Sequence, residues 1–195
     1  MPRITAPTVA EHREQRRADL LEAAAALMLR HGQFTVAEVA TEVGLSRSAV
    51  YEYYSSAADL IADVLVDELA DWADALERAT ADIADPAERV SAWVGAVLHY
   101  VAEGRHALVR AAGTIDLPAT RRAEVQGRHR DLVRELHVAL TDLGCADPTA
   151  MSAFIWGAVN AAITRIEAGS TAAEDETAMV LDFIQGGLAG LVLGR

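Results

Sequence analysis

Residues 35–60, TVAEVATEVGLSRSAVYEYYSSAADL, decide the fold of this chain. Thr35 stands three residues before Glu38, which is the spacing of a capping box, so a helix is expected to begin there. About two turns later, Gly44 can adopt the positive φ that ends a helix, and Ser46 can cap the next one. Two short helices joined by a tight corner form a helix-turn-helix, and this is the unit that the segment predicts.

The second of these helices has the residues that a DNA-reading helix needs. Such a helix presents short polar and donor-bearing groups from its first turn to the major groove. Arg47 and Ser48 stand in that turn, and Arg47 can donate a bidentate pair to guanine. Tyr51, one turn later, can reach a thymine methyl group or a phosphate. We therefore predict that Ser46, Arg47, Ser48 and Tyr51 contact double-stranded DNA.

The start of the first short helix is a further candidate contact. The hydroxyl and the backbone N–H of Thr35 lie at a helix N-terminus, which favours an anion such as a phosphate. Thr35 is therefore predicted to bind the DNA backbone rather than a base.

Apolar residues at three- and four-residue steps predict helices along the rest of the chain, and no segment alternates as a strand would. One helix over about 11–30 precedes the quoted segment. After it we predict helices over about 58–85, 86–103 and 125–143, a short segment at 105–112, and two long helices over 148–167 and 172–193. The Asp-Pro pairs at 85–86 and 147–148 each indicate a capping residue followed by the first residue of a helix. The expected fold is all-α, with about nine helices: an N-terminal three-helix helix-turn-helix domain at 1–56, and a larger helical domain at 57–195.

Composition limits the kinds of protein this can be. The formal net charge is −12, and all 17 basic residues are arginine, so any contact with DNA must be local. Cys145 is the lone cysteine, which excludes an intramolecular disulfide, and no zinc-type spacing of Cys and His occurs. We expect no metal and no cofactor. Since there is no signal core and no apolar stretch of the ~18 residues that a span needs, we expect a cytoplasmic protein that does not enter the membrane.

The quoted segment resembles the TetR family of transcriptional regulators. The family typically has a Thr at the start of its second helix, an Ala-x-x-x-Gly-Val/Leu-Ser corner and an aromatic end to the recognition helix. The matching residues in this chain are Thr35, Ala40, Gly44-Leu45-Ser46 and Tyr51-Glu52-Tyr53-Tyr54. The resemblance implies that Tyr53 is a phosphate donor. It also implies that the residues from 57 onward form an effector-binding and dimerisation domain, whose last two helices pair with those of a second subunit.

One position departs from the family pattern. The family usually has a Lys that pairs with phosphate at the start of the fourth helix, and this chain has Ala57. The change weakens the electrostatic part of DNA binding. The candidate replacements are Arg13, Arg16 and Arg17 on the first helix, and Arg3 in an N-terminal arm. The three on the helix could equally form an ordinary solvated face.

The helix at 148–167 indicates a dimer independently of the resemblance. It is apolar nearly all round, with small residues such as Gly157 and Ala161 that allow close approach, so it needs neighbours on two sides. A homodimer through the helices at 148–167 and 172–193 supplies the second neighbour. The alternative is that this helix is the centre of a monomer core.

A small-molecule effector site is expected in the larger domain, because aromatic walls with a few polar groups make a typical cavity. Its candidate residues are Trp72, Trp93, Tyr100, Arg110, Phe154, Trp156 and Asn160. Each of them is more often a core residue than a ligand contact. Asn160 is the most suggestive, because an amide on a buried apolar helix needs a partner. The five arginines between Arg121 and Arg134 could also recognise an anion, but a solvated face with acidic partners, such as Glu124 for Arg128, is the simpler interpretation.

The expected function is a ligand-responsive regulator, namely a repressor that is released from a pseudo-palindromic operator when the effector binds. The chain has no Gly-rich phosphate loop, no nucleophile elbow and no Glu-x-x-His pair on facing helices, so we expect no catalytic residues and no enzyme activity. The alternative is a helical protein-interaction module that has lost high-affinity DNA binding. Ala57, Glu52 and the acidic balance of the chain are the features that favour it.

Overall fold

The computed structural model of the chain describes residues 9–113 and 115–193. Within these ranges the chain forms ten helices and no strand. The helices are α1 (Val9–His31), α2 (Val36–Glu42), α3 (Arg47–Tyr51), α4 (Ala57–Thr80), α5 (Pro86–Ala102), α6 (Ala107–Ala112), α7 (Ala119–Asp131), α8 (Arg134–Asp142), α9 (Pro148–Glu167) and α10 (Ala173–Leu193). The predicted all-α architecture, with a helix-turn-helix first and a larger helical part after it, is confirmed.

Two predicted helix starts are capped as the sequence indicates. Asp85 caps α5 and Asp147 caps α9, and each accepts a hydrogen bond from a backbone N–H of the first turn. In both cases the next residue is a proline, whose missing N–H costs nothing at that position. The Asp-Pro pairs therefore fix where the two helices begin.

One predicted helix is divided in two. The apolar stripe that starts at Val125 predicts a continuous helix, but α7 ends at Asp131 and α8 begins at Arg134. At the break, the carbonyl oxygen of Leu132 accepts a hydrogen bond of 2.9 Å from the indole Nε1 of Trp93. The helical ladder is interrupted where a side chain from another helix takes this acceptor. Counted as one helix, α7 and α8 would reduce the ten described helices to the predicted nine.

Two helices end earlier than predicted. The recognition helix α3 ends at Tyr51 rather than about Tyr54, and a turn follows it. The helix α4 ends at Thr80 rather than near Asp85. The buried hydroxyl of Thr80 donates to carbonyl oxygens of the preceding turn, so a side chain competes with the backbone at that helix end.

The chain divides into two compact units. The first contains the described chain up to Glu68 together with Leu108–Val125. Its core includes the fully buried side chains of Leu20, Val39, Val50 and Leu60. The second comprises Leu69–Ala107 and the chain from Gln126 onward, where α5 packs against α8, α9 and α10. Because α4 begins in the first unit and ends in the second, this division differs from the predicted functional boundary between residues 56 and 57, which stays a prediction.

Candidate nucleic-acid interface

The helix-turn-helix is built by the residues that predict it. The capping box is complete, because the N–H of Glu38 donates to the Thr35 hydroxyl at 3.3 Å and the N–H of Thr35 donates to the Glu38 carboxylate at 2.7 Å. Gly44 has a φ of 66°, in the left-handed region that glycine enters at least cost. Ser46 then caps α3 by accepting a hydrogen bond of 3.2 Å from the N–H of Ala49.

The recognition helix α3 presents its predicted contact residues to solvent. Ser46, Arg47, Ser48 and Tyr51 are exposed, whereas Val50 is fully buried. Arg47 Nη2 donates to the Tyr51 hydroxyl at 3.1 Å, and the guanidinium lies 5.5 Å from the Tyr51 ring centroid. A guanidinium has five N–H donors, so this contact leaves donors that a guanine edge can accept.

The two tyrosines after α3 have different surroundings. Tyr53 is half-buried, and the Arg13 guanidinium lies 5.3 Å from its ring centroid. Tyr54 is buried, and its hydroxyl donates to Asp63 at 3.1 Å. Burial is the main cause that raises the pKa of Tyr54 above its usual value, with the Asp63 charge acting in the same direction. Tyr54 therefore stays a protonated donor, and Tyr53 is the tyrosine of the two that has access to solvent.

Thr35 already holds an anion of its own chain. Its hydroxyl and its N–H both donate to the Glu38 carboxylate, at 2.8 Å and 2.7 Å. These two hydrogen bonds, from the backbone first and then from the side chain, lower the pKa of Glu38. A DNA phosphate at Thr35 would have to replace this carboxylate.

The arginines of α1 are engaged within the chain. Arg17 donates to Asp63 at 2.7 Å, so a contact with phosphate would compete with this pair, and its role in place of the missing lysine stays a prediction. Arg16 lies 3.7 Å from Asp19 and is half-exposed. Arg3 lies outside the described residues.

A carboxylate that sequence reasoning missed lies beside the recognition helix. Asp63 of α4 accepts hydrogen bonds from Arg17 at 2.7 Å, from the Tyr54 hydroxyl at 3.1 Å and from the guanidinium of Arg121. Burial raises the pKa of Asp63, but the hydrogen bonds from Arg17 and Arg121 outweigh this effect and leave the pKa lowered. The two arginines are 46 and 58 residues away in sequence, so no local pattern could have shown the pairing.

Most of the arginines between Arg121 and Arg134 are paired with carboxylates. Arg122 pairs with Asp116, and Arg134 pairs with Glu77 and Glu135. Arg128 lies 3.7 Å from Asp131, not beside the expected Glu124. These pairs agree with the solvated-face interpretation rather than with an anion site.

Four of the predicted effector residues form two aromatic pairs in the second unit. Trp72 and Tyr100 are buried and stacked, with ring centroids 4.7 Å apart and an interplanar angle of 8°. Trp93 is fully buried, and its ring centroid lies 6.0 Å from that of the half-buried Trp156. Arg110 is not among them, because it is exposed and belongs to the first unit.

Phe154 and Asn160 differ from the expectation. The side chain of Phe154 is 73% exposed, and Asn160 is exposed as well. The helix α9 buries Ile155 and Val159 instead. The premise that Asn160 lies on a buried face is therefore wrong for the single chain, and neither residue is the wall of an enclosed cavity there.

Two of the predicted residues line open grooves of the second unit. Trp156 lies in a groove of about 500 Å³ with Val133 and His137. Phe154 lies in a smaller groove of about 270 Å³ with Phe183. Whether any of the predicted residues binds an effector stays a prediction.

Among residues 9–113 and 115–193, no three His, Cys, Asp or Glu side chains are grouped as a metal site would require. None of the helices in these ranges combines the length and the hydropathy needed to span a membrane.

The helix-turn-helix segment is similar to a known protein family. Residues 20–64 match the model of the family described as bacterial regulatory proteins, tetR family. No match was found among the curated proteins.

Solved structures share the fold over most of the chain. A transcriptional regulator of the TetR/AcrR family from Thermobifida fusca YX-ER1 has a TM-score of 0.66 at 18% identity, covering 87% of this chain and 96% of that one. The regulator FadR from Bacillus subtilis, solved with stearoyl-CoA, has a TM-score of 0.72 at 14% identity, covering 86% and 96%. SmeT, solved with triclosan, has a TM-score of 0.68 at 19% identity, covering 89% and 91%. Residues 20–64, which contain the helix-turn-helix, thus match the tetR family model, and the chain as a whole shares the fold of solved regulators of that type.

Proposed function

We propose that this chain is a homodimeric repressor that binds a pseudo-palindromic operator through α3 and is released when a small molecule binds its C-terminal domain. The observation that carries the proposal is the two-sided character of the α3 segment. Val50 and Tyr54 are buried, while Arg47, Ser48 and Tyr51 are exposed. A helix whose exposed side carries hydrogen-bond donors suits the major groove.

The proposed DNA contacts divide into base and backbone contacts. Arg47 reads guanine through two parallel N–H donors, and Ser48 and Tyr51 contact the neighbouring bases or their phosphates. Ser46, Thr35 and Tyr53 bind the backbone. These roles set the register of α3 on the duplex without adding sequence information beyond that read by the base contacts.

The proposed dimer uses α9 and α10. Phe154 of α9 and Phe183 of α10 are 73% and 71% exposed, and Met179 of α10 is 58% exposed. Large apolar side chains this exposed mark an interaction surface. In an isologous dimer the same surface is buried on both subunits, and two recognition helices can then meet half-sites ~34 Å apart.

The proposed effector site lies in the second unit. FadR and SmeT, which share the fold, were solved with stearoyl-CoA and triclosan, and these complexes support a ligand site in this domain. In this chain the indole N–H of Trp72 is buried and has no hydrogen-bond partner among the described residues. A buried donor of this kind costs about 1–3 kcal/mol, and a ligand with an acceptor group beside the Trp72–Tyr100 pair would satisfy it.

The proposed release is a coupling between two binding events. The effector shifts α4, which changes the distance between the recognition helices and favours the DNA-free dimer. A difference of a few kcal/mol between the two states is sufficient. The segment before α4 is tied to its first turn, because Ser55 and Ser56 both donate to the carboxylate of Asp59. Movement of α4 would therefore carry the end of the helix-turn-helix with it.

The test is binding of the purified protein to a labelled fragment of its own upstream DNA at two salt concentrations. We expect specific binding that weakens steeply with salt, because the contacts to phosphate release counterions. Arg47→Ala should lose about 10- to 100-fold in preference for the operator over unrelated DNA while the dimer stays intact. The matched control is Arg78→Ala, which removes the same charge from the last turn of α4.

Two other results would contradict parts of the proposal. Retained preference in Arg47→Ala would refute the role of Arg47. No binding by the parent protein at low salt would favour the protein-interaction module instead.

A further inference from the structure

Three side chains from separate parts of the first unit meet at one carboxylate. Arg17 of α1, Tyr54 after α3, and Arg121 of α7 all donate to Asp63 of α4, and we call these four residues the Asp63 cluster. The side chains of Arg121 and Asp63 are only 22% and 17% exposed. None of the charged members lies on α3, so the cluster is not expected to contact bases directly.

The recognition helix depends on anchors outside itself. The helix α3 has five residues, and a helix shorter than about 12 residues is marginal without tertiary contacts. Within it, Val50 is the buried residue. On its C-terminal side the buried Tyr54 follows, with its N–H bonded to the Val50 carbonyl at 3.0 Å and its hydroxyl bonded to Asp63. Tyr54 thus connects the C-terminal end of α3 to Asp63.

Asp63 is itself held from two sides. Its Oδ2 accepts from Arg17 and from Tyr54, while its Oδ1 accepts from Arg121. Arg121 also reaches the Asp59 carbonyl in the first turn of α4 at 3.4 Å and the Glu124 carboxylate in its own helix at 2.5 Å. Charge-assisted hydrogen bonds of this kind are about twice as strong as neutral ones. Arg121 is therefore the member that joins α7 to the acceptor of Tyr54.

We infer that Arg121 is a positioning residue for the recognition helix, acting through Asp63 and Tyr54. The inference rests on the proposed function in one respect, namely that α3 reads DNA. The helix α7, which carries Arg121, contains residues of both units.

The experiment compares amide hydrogen exchange in the full-length, DNA-free protein. In Arg121→Gln, the α3-segment amides of Val50, Tyr53 and Tyr54 should exchange about tenfold faster, while amides of α9 keep their parent rates. The matched control is Arg122→Gln, the next residue in α7, whose partner Asp116 is 94% exposed. That variant should leave the α3 amides unchanged. Should Arg121→Gln fail to fold, Arg121→Lys keeps the charge but loses the planar fork, and a smaller acceleration confined to the same amides is expected.

A double-mutant cycle separates positioning from general stability. Tyr54→Phe removes the hydroxyl that links α3 to Asp63, so Arg121→Gln should accelerate the α3 amides much less in that background. Equal acceleration with and without the hydroxyl, or acceleration shared by all helices, would overturn the inference. Operator binding by the same variants is the second readout, with an expected loss of about tenfold for Arg121→Gln. If the parent protein binds no DNA, the proposed function fails while the exchange result still decides the positioning role.

Discussion

The two carboxylate oxygens of Asp63 accept hydrogen bonds from three side chains. The ionisation of this carboxyl group is therefore linked to folding. Its pKa is lowered in the folded chain, because the hydrogen bonds from Arg17 and Arg121 outweigh the effect of burial. A carboxyl group whose pKa is lower when folded stabilises the fold above its unfolded pKa of about 3.9. That contribution is lost as the pH falls through the folded pKa.

We predict that Asp63→Asn is less stable than the parent at neutral pH and loses less of its stability between pH 5 and pH 2. The measurement is the free energy of unfolding from urea titrations across that range. Asp116→Asn, which changes a highly exposed carboxylate, should follow the parent curve. If the free energy of unfolding fell equally with pH in Asp63→Asn and in the parent, Asp63 would not contribute to the acid dependence of stability.

At the scale of residues, the sequence predicted local contacts and missed distant ones. The caps Thr35, Ser46 and Asp85 act within a few residues of themselves, and all three are found in the structure. The Arg121–Asp63 pair spans 58 residues, and nothing near either residue specifies the partner. The pairing of Arg17 with Asp63, which spans 46 residues, was missed for the same reason.

At the scale of elements, the bounds of a helix were predicted best where a capping residue or a glycine marks one of its ends. The starts of α5 and α9 were right because Asp-Pro pairs carry the signal locally. The break between α7 and α8, where Trp93 donates to the Leu132 carbonyl, was missed because the apolar stripe does not record such a distant contact. The exposure of Phe154 and Asn160 was not predicted either, since a nearly uniform apolar helix does not reveal which side it buries.

A substitution at Gly44 tests the role of backbone conformation at the corner between α2 and α3. Gly44→Ala places a Cβ at a φ of 66°, where an L-residue costs about 1–2 kcal/mol. We expect a corresponding loss in the free energy of unfolding. Gly95→Ala is the matched change inside α5, where a Cβ meets nothing within 4 Å, and it should stabilise the protein by about 0.5–1 kcal/mol. Equal effects of the two alanines in urea titrations would contradict the role of backbone conformation at the corner.

At the scale of the whole molecule, we expect the protein to act as a homodimer. Phe183→Glu puts a charge in the centre of the apolar surface of α9 and α10, where burial of an uncompensated carboxylate is unfavourable. We predict a monomer in sedimentation equilibrium at concentrations where the parent is a dimer, with loss of high-affinity operator binding. Leu29→Glu, at a 56% exposed leucine of α1, should leave the dimer intact. A Phe183→Glu variant that still dimerises would place the interface elsewhere.

The shared acceptor at Asp63 limits how this protein can be rebuilt. A chimera that transplants residues 1–56 onto a foreign effector domain would carry Arg17 and Tyr54 but leave their acceptor behind. Both donors would then face whatever residue the host has in the second turn of its fourth helix. A working graft has to extend through Asp63 and supply an arginine equivalent to Arg121, so the portable DNA reader of this chain is a discontinuous piece of sequence.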